Sequence, residues 1–147
     1  MTIKNLHKQV VESAVQGAKL ECGGFIPKGM GYFYPATVLT EVPAGTRAYI
    51  EELFGPVWSF IPVKDEVQAV QIANDTAFGL ASGIFTGNIE RGEELAKYIM
   101  AGNVSINVPS ASDPRSPFGG IKNSGYGREL SAVGIHEFTN IKTINVA

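Results

Sequence analysis

A chain of 147 residues is long enough for one domain that buries roughly 68–70 % of its unfolded surface. Hydrophobic residues make up 44 % of it and charged residues 18 %, a balance typical of globular proteins that excludes intrinsic disorder. Twelve basic and fourteen acidic side chains leave a formal charge of −2. Because no strongly basic stretch accompanies that balance, we expect no nucleic-acid partner.

The sequence also argues against membrane and secretory classes. No apolar run approaches the roughly 18–20 residues that span a bilayer. The N-terminal segment M-T-I-K-N-L-H-K-Q-V lacks the apolar core of a signal peptide. Cys22 is the single cysteine and has no partner for an internal disulfide, which favours a reducing compartment. We therefore expect a cytoplasmic protein with no membrane partner.

The first predicted element is an amphipathic helix over residues 2–16, because apolar side chains recur there at steps of three and four: Ile3, Leu6, Val10 and Ala14. Gly17 follows as a C-cap. Residues 19–22 predict a short strand. Residues 32–42 predict another, interrupted by Pro35, which points to an edge strand or a bulge.

The middle of the chain alternates strand and helix. β-Prone runs lie at residues 57–63, 80–86 and 104–108, and Asp65 and Asn88 can each cap a helix between two of them. Strand, helix, strand, helix, strand is the pattern of βαβ crossovers. The sequence therefore predicts an α/β fold in which these three runs form a parallel sheet.

The composition changes after this alternating part. Residues 110–127 contain four glycines, two prolines and four serines without periodicity, and a loop of this length inside a domain is usually functional or disordered. A short helix over 128–137 and a final extended segment over 138–146 are predicted to complete the chain.

Several common kinds of site are absent from the sequence. His7 and His136 lie far apart, and no metal-ligand spacing is present, so no metal site is expected. Residues 120–125 have the first spacing of a phosphate loop, but Tyr126 stands where that motif requires lysine. A nucleophilic thiol needs a nearby base, cation or helix N-terminus. Cys22 follows Glu21 instead, so we interpret it as structural.

Two stretches remain as candidates for chemistry. Glu51 and Glu52 precede Phe54 and a Gly-Pro turn. One interpretation is that they form a helix terminus with a hydrophobic anchor. The other is that one carboxylate accepts hydrogen bonds from a sugar diol while the aromatic ring packs against a flat heterocycle. The second stretch, residues 116–129, is rich in glycine, which suggests tight turns and close backbone approach. Composition leaves open what approaches that backbone.

Four ordered motifs together resemble the aldehyde dehydrogenase superfamily. They are E-E-L-F-G-P at 51–56, A-N-D-T-A-F-G-L at 73–80, G-N-V-S-I-N at 102–107 and P-F-G-G-I-K-N-S-G-Y-G-R-E at 117–129. The resemblance covers nearly the whole chain. It implies that residues 1–137 form the C-terminal portion of a catalytic domain with parallel βαβ units. It also implies that residues 138–147 form an oligomerisation strand in a homo-oligomer.

The resemblance implies roles for four residues. Glu52 would bind the nicotinamide ribose hydroxyls of NAD or NADP, and Phe54 would lie beside the nicotinamide ring. Phe118 would line the tunnel for a small aldehyde substrate. Glu129 is similar to a carboxylate that relays protons near the catalytic centre.

A narrower resemblance, to succinate-semialdehyde dehydrogenases, is carried by three segments: 110–113, 127–131 and 134–138. It implies that Ser112 helps to hold the distal carboxylate of the substrate. Arg115 is a candidate partner for the same carboxylate, on charge alone.

The chain departs from the family in its reactive centre. Such enzymes use a nucleophilic cysteine, a glutamate base, an oxyanion-stabilising asparagine and a dinucleotide-binding domain, and the resemblance gives none of these a counterpart here. Cys22 matches a position that is not the nucleophile. We expect a fragment of an NAD(P)-dependent enzyme that alone is inactive and binds no cofactor tightly. The alternative is a non-enzymatic assembly module; a free-standing nucleotide binder lacks a phosphate site.

Overall fold

The computed structural model describes residues 2–147, and the chain divides into two compact units, Met1–Lys64 and Asp65–Ala147. Within residues 2–147, no helix combines the length and the hydropathy that crossing a bilayer requires.

The first unit contains two helices and a three-stranded sheet of order β1-β2-β3. In this sheet β1 runs antiparallel to β2, and β2 runs parallel to β3. The elements are α1 Ile3–Val15, β1 Lys19–Cys22, β2 Thr37–Thr40, α2 Arg47–Ile50 and β3 Val57–Ser59.

Helix α1 confirms the prediction for residues 2–16. The Thr2 side chain accepts a hydrogen bond from the backbone amide of Asn5, at 3.4 Å from Oγ1, and so caps the helix start. Gly17 follows the C-cap residue with a φ of 114°, a conformation that glycine adopts readily. The helix contributes Val10 to a core cluster completed by Ala18, Leu39, Val42 and Ala48.

The strand predicted over residues 32–42 is shorter than expected, and of the two alternatives that Pro35 indicated, an edge strand or a bulge, the edge strand is wrong. β2 begins at Thr37, after Pro35, and lies at the centre of its sheet. Pro35 therefore removes no donor from the ladder. The one irregularity between these two strands lies in β1, between Leu20 and Cys22.

The second unit contains three helices and two two-stranded sheets, β4-β7 and β5-β6. Its elements are α3 Glu66–Asn74, β4 Phe78–Gly79, β5 Ala81–Ile84, α4 Ile89–Ala96, β6 Asn103–Ile106, β7 Ile121–Lys122 and α5 Ser131–Glu137. β5 and β6 are parallel and joined through α4, which confirms the predicted βαβ unit.

Both predicted helix caps in this unit are confirmed. Asp65 accepts a hydrogen bond from the Gln68 amide at 2.8 Å, and Asn88 accepts one from the Arg91 amide at 2.9 Å. Each side chain satisfies a donor that the first helical turn leaves without a backbone partner.

The expected sheet of three parallel strands is wrong in its first member. The run at 57–63 forms β3, which pairs with β2 in the first unit and not with β5. The backbone fixes this choice, since Thr37 donates to the Pro56 carbonyl at 2.9 Å and Phe60 donates to the Leu39 carbonyl at 2.8 Å. A succession of β-prone runs and helices predicts strands, but it does not specify which strands pair with one another.

The C-terminal part also differs from the prediction. α5 begins at Ser131 rather than at 128, because Glu129 instead forms a β-bridge with Phe118 and Leu130 has a φ of 64°. Residues 138–147 form no strand within the described chain, and every one of them is exposed. Their role as an oligomerisation strand stays a prediction.

Burial differs between the two units. The hydrophobic core cluster belongs wholly to the first unit. In residues 65–147, all of which the structure describes, the buried positions are Gly79, Gly92, Gly120 and Gly134. The second unit therefore leaves its large apolar side chains partly or fully exposed, as Phe85 and Phe138 show at 75 % and 89 %.

Candidate functional site

The paired carboxylates at 51 and 52 have different surroundings. Glu51 is the C-cap residue of α2. Its carboxylate accepts hydrogen bonds from Arg47 Nε at 2.7 Å, from Arg47 Nη2 at 2.6 Å and from Gln9 Nε2 at 2.8 Å. The Arg47 guanidinium, and then the Gln9 amide, hold the pKa of Glu51 below its ordinary value. For Glu51, the helix-terminus interpretation is the one that the geometry supports.

Glu52 has a free carboxylate. Its side chain is exposed and makes no hydrogen bond or ion pair with another residue in the range 2–147. Its backbone is fixed nonetheless, because Gln9 Nε2 also donates to the Glu52 carbonyl at 3.2 Å. Gln9 is 1 % exposed, so the anchor of this backbone is buried. The structure thus presents the unpaired Glu52 carboxylate to solvent from a backbone that is held in place.

Phe54 lies near Glu52 in sequence and is 70 % exposed. It lines an open depression of about 440 Å³, together with Thr2, Ile3, Leu6, Tyr32, Phe33, Tyr34, Gly55 and Pro56. Tyr34 is held by a 3.1 Å hydrogen bond between its hydroxyl and His7 Nδ1, and burial raises the pKa of Tyr34. Aromatic faces can stack on a flat heterocycle. Tyr32 and Tyr34 are not among the site residues predicted from the sequence, although the run Tyr32-Phe33-Tyr34 is visible in it.

In the second unit, the motif at 73–80 holds the glycine-rich motif at 117–129. Lys122 Nζ donates to the carbonyls of Asn74 at 2.8 Å and Thr76 at 3.0 Å. The Gly79 amide donates to Ser124 Oγ at 3.0 Å. The Asn74 side chain in turn links α3 to the segment after α4, since its Nδ2 donates to the Tyr98 carbonyl at 2.8 Å.

The motif at 102–107 contacts the same segment at its start. Asn103 Nδ2 donates to the Pro117 carbonyl at 3.3 Å. A Cβ atom built on Gly102 would lie 1.7 Å from the Gly119 carbonyl oxygen, so only a hydrogen fits there. This explains the close backbone approach that the glycines suggested. The partner that approaches is the chain itself.

Phe118 and Glu129 are brought together. The Phe118 amide donates to the Glu129 carbonyl at 2.9 Å, and the Glu129 amide donates to the Phe118 carbonyl at 2.8 Å. Both residues line a second open depression, of about 390 Å³. Its other lining residues are Leu80, Gly119, Gly120, Ser124, Gly125, Tyr126, Gly127, Arg128, Glu137 and Phe138. An aromatic ring and a carboxylate, for which the resemblance implies a substrate tunnel and a proton relay, thus share one surface.

Ser112 and Arg115 are placed differently. Both are exposed, and neither is among the described residues that line the second depression. The Arg115 guanidinium binds the Asp113 carboxylate, with Nη2 at 2.7 Å from Oδ2 and Nε at 3.0 Å from Oδ1. This pairing lowers the pKa of Asp113. A substrate carboxylate would therefore have to compete with Asp113 for Arg115.

Cys22 ends β1 and is exposed. Its thiol lies 3.8 Å from the Ala36 carbonyl oxygen, to which it donates a weak hydrogen bond. That contact places the thiol against the backbone just before the neighbouring strand β2.

Comparisons with known proteins show which family this chain resembles. The family model described as "Aldehyde dehydrogenase family" matches residues 1–144. The chain is 49 % identical over 141 residues to an aldehyde dehydrogenase of Paenarthrobacter nicotinovorans, covering 96 % of this chain and 31 % of that protein. It is 46 % identical over 139 residues to the NAD(P)+ succinate semialdehyde dehydrogenase Sad of Escherichia coli K12, covering 95 % and 30 %.

A solved structure gives the same result. The succinic semialdehyde dehydrogenase of Streptococcus pyogenes, in complex with NADP+, superposes with a TM-score of 0.93 at 36 % identity, covering 98 % of this chain and 32 % of that one. The chain thus spans about a third of the length of the relatives that it matches.

Proposed function

Because this chain belongs to the aldehyde dehydrogenase family, we propose that it supplies the C-terminal third of an NAD(P)-dependent enzyme that oxidises succinate semialdehyde to succinate. Its α/β architecture is that of part of the aldehyde dehydrogenase fold. The relatives named above include succinate semialdehyde dehydrogenases that use NAD(P)+ or are bound to NADP+. In this proposal the nucleophile, the base and the dinucleotide-binding domain come from residues outside the 147.

The observation that carries the proposal is the difference between Glu51 and Glu52. Glu51 is neutralised by Arg47, whereas Glu52 is fixed through its backbone and leaves both carboxylate oxygens free to accept. Two adjacent acceptor oxygens match the two hydroxyls of a ribose. When bound, NAD(P)+ supplies the hydride acceptor. Glu52 would orient the nicotinamide ribose, and the exposed ring of Phe54 would bound one side of the nicotinamide.

The residues proposed for the substrate side belong to the second unit. Phe118 would line the aldehyde path, and Glu129, paired to it through the backbone, would accept and pass on a proton. Ser112 would donate its hydroxyl to the distal carboxylate of succinate semialdehyde. Arg115 would add a charge-assisted hydrogen bond once it is released from Asp113. These assignments give the chain orienting roles and leave bond making to groups outside it.

The chain alone is proposed to be inactive. A thiolate must attack the aldehyde carbon before a hydride can leave, and the thiol of Cys22 instead donates to the Ala36 carbonyl. The free thiol is the reason for placing the chain in the cytoplasm. A homo-oligomer assembled through residues 138–147 is proposed because this exposed segment forms no strand within the described chain. An assembly role without catalysis would rest on that same observation.

The test is a chimera in which this chain replaces the matching third of the Escherichia coli relative. The chimera is expected to reduce NAD(P)+ with succinate semialdehyde, and to use butanal, which lacks the distal carboxylate, far less well. The isolated chain is expected to produce no NAD(P)H. Turnover by the isolated chain that disappears in Cys22→Ser would overturn the proposal, as would a folded chimera with no activity.

A further inference from the structure

We propose that Lys122 is a positioning residue: its ammonium group fixes the segment 117–129 to the end of helix α3 and thereby holds Phe118 and Glu129 in register. The effect on catalysis rests on the proposed function, whereas the effect on the segment does not. Lys122 touches neither the cofactor nor the aldehyde in this proposal, since its side chain points to backbone carbonyls.

The backbone of Lys122 is unusual. Its φ is 54°, in the left-handed region that side chains other than glycine rarely adopt. Lys122 pairs with Phe78 across β4 and β7. A strained backbone at a residue with a specific contact points to a functional constraint, and here the contact lies at the tip of the side chain.

The lysine ammonium acts as a cap for α3. Asn74 is the last residue of α3, and the final carbonyls of a helix have no partner within it. Lys122 Nζ lies 2.8 Å from the Asn74 oxygen and 3.0 Å from the Thr76 oxygen. A cation is also favoured there by the helix dipole. The contact therefore combines two hydrogen bonds with a favourable field.

The two residues after Lys122 strengthen the same attachment. The Asn123 amide donates to the Ala77 carbonyl at 2.9 Å, and Ser124 Oγ accepts from the Gly79 amide at 3.0 Å. Residues 122–124 are thus each hydrogen-bonded to residues between 74 and 79, at and after the end of α3.

This attachment reaches Phe118 and Glu129 through short links. A Cβ on Gly120 would lie 2.6 Å from the Ser124 carbonyl oxygen, so the turn between 120 and 124 is tight. Arg128 Nη1 donates to the Gly120 carbonyl at 2.9 Å and so ties the end of the segment 117–129 to the same turn. The bridge between Phe118 and Glu129 closes the segment. Loosening Lys122 is therefore expected to loosen that bridge.

The first experiment measures amide hydrogen exchange in the 147-residue chain. Lys122→Met removes the ammonium but keeps a long side chain, and is expected to speed exchange at the Phe118 and Glu129 amides about tenfold. Lys122→Arg, which retains charge and donors, is expected to restore protection. Lys97→Met is the matched control, because Lys97 makes an exposed pair with Glu94. Equal exchange at the two amides in wild type and Lys122→Met would overturn the proposal.

Amides of β5 and β6 report whether the fold survives the substitution. If Lys122→Met loses their protection as well, Lys122→Gln, which keeps a neutral donor, replaces it in the comparison. Protection of the Phe118 and Glu129 amides that does not change in Lys122→Gln would then contradict the proposal.

The second experiment measures kinetics in the chimera described above. A positioning role predicts that Lys122→Met raises KM for the aldehyde about tenfold through Phe118, whatever change in kcat follows through Glu129. A merely structural role predicts fewer active molecules, hence a lower apparent kcat at unchanged KM. The second pattern would contradict the proposal. A wild-type chimera without turnover would count against the proposed function, and the exchange experiment would still decide the role of Lys122.

Discussion

The guanidinium of Arg47 holds the carboxylate of Glu51 through two hydrogen bonds, 2.7 Å long from Nε and 2.6 Å long from Nη2. Arg47 also reaches Glu12 of α1, with Nη1 at 2.8 Å from the carboxylate. Together these contacts connect α1, α2 and the start of the motif that carries Glu52. They also give two neighbouring glutamates different roles: the Glu51 carboxylate supports the fold, and the Glu52 carboxylate is free to bind a ligand.

This separation predicts different effects on stability. Glu51→Gln weakens a charge-assisted pair that is partly exposed. The free energy of unfolding of this variant is therefore expected to be lower than that of the wild type by about 1–2 kcal/mol. Glu52→Gln removes no contact and is expected to change it by less than about 0.5 kcal/mol. Urea denaturation of the isolated chain measures both values. In the chimera the order reverses, because Glu52→Gln is expected to weaken cofactor use more. Equal effects in either assay would contradict the assignment.

The same pair predicts a pH dependence of stability. Arg47 and Gln9 lower the pKa of Glu51 from its ordinary value of 4.5. Because the folded pKa lies below the unfolded one, the stabilisation is fully present above pH 4.5 and is lost as the pH falls through the folded pKa. Urea denaturation between about pH 6 and pH 3 measures this loss. Arg47→Met is expected to show a shallower decline, and an identical decline in both proteins would exclude the pair as its source.

Close backbone packing predicts that replacing Gly102 lowers the stability of the chain. A methyl group there would lie 1.7 Å from the Gly119 carbonyl oxygen, so Gly102→Ala is expected to lower the free energy of unfolding by at least about 2 kcal/mol. Gly87→Ala is the control, because nothing lies within 4 Å of its Cβ position. Denaturant titration compares the two variants. Similar stabilities would show that the 117–129 segment does not need this contact.

The exposed apolar surface of the second unit predicts self-association. Large apolar side chains such as those of Phe85, Phe138 and Ile141 are exposed by 75 %, 89 % and 81 %, and exposed apolar patches mark interaction surfaces. Light scattering of the isolated chain is expected to give a mass that rises with concentration. The double substitution Ile141→Ser and Ile144→Ser is expected to lower it, whereas Asn140→Ser is not. A monomer at all concentrations would refute both the association and the role of 138–147.

Local features of the chain were predictable from the sequence. The helix at 2–16, the caps Asp65 and Asn88, and the βαβ unit of β5, α4 and β6 were all confirmed. Each depends on residues a few positions apart, and capping and hydrophobic periodicity act at that range. The family was also predictable, because four motifs in fixed order are a property of sequence.

Long-range partners were not predictable in this way. The residues 57–63 do not indicate that β3 pairs with β2. In the same way, the pair Glu51-Glu52 does not indicate that Arg47 and Gln9 bind only the first carboxylate. Likewise, Arg115 was proposed for a substrate on charge alone, and its pairing with Asp113 was not anticipated. The sequence by itself determined the periodic helix α1 and the capped starts of α3 and α4, since those choices depend on adjacent residues. Only the tertiary structure decided which strands pair, which carboxylate is neutralised and which lysine caps α3, because each depends on groups brought together by folding.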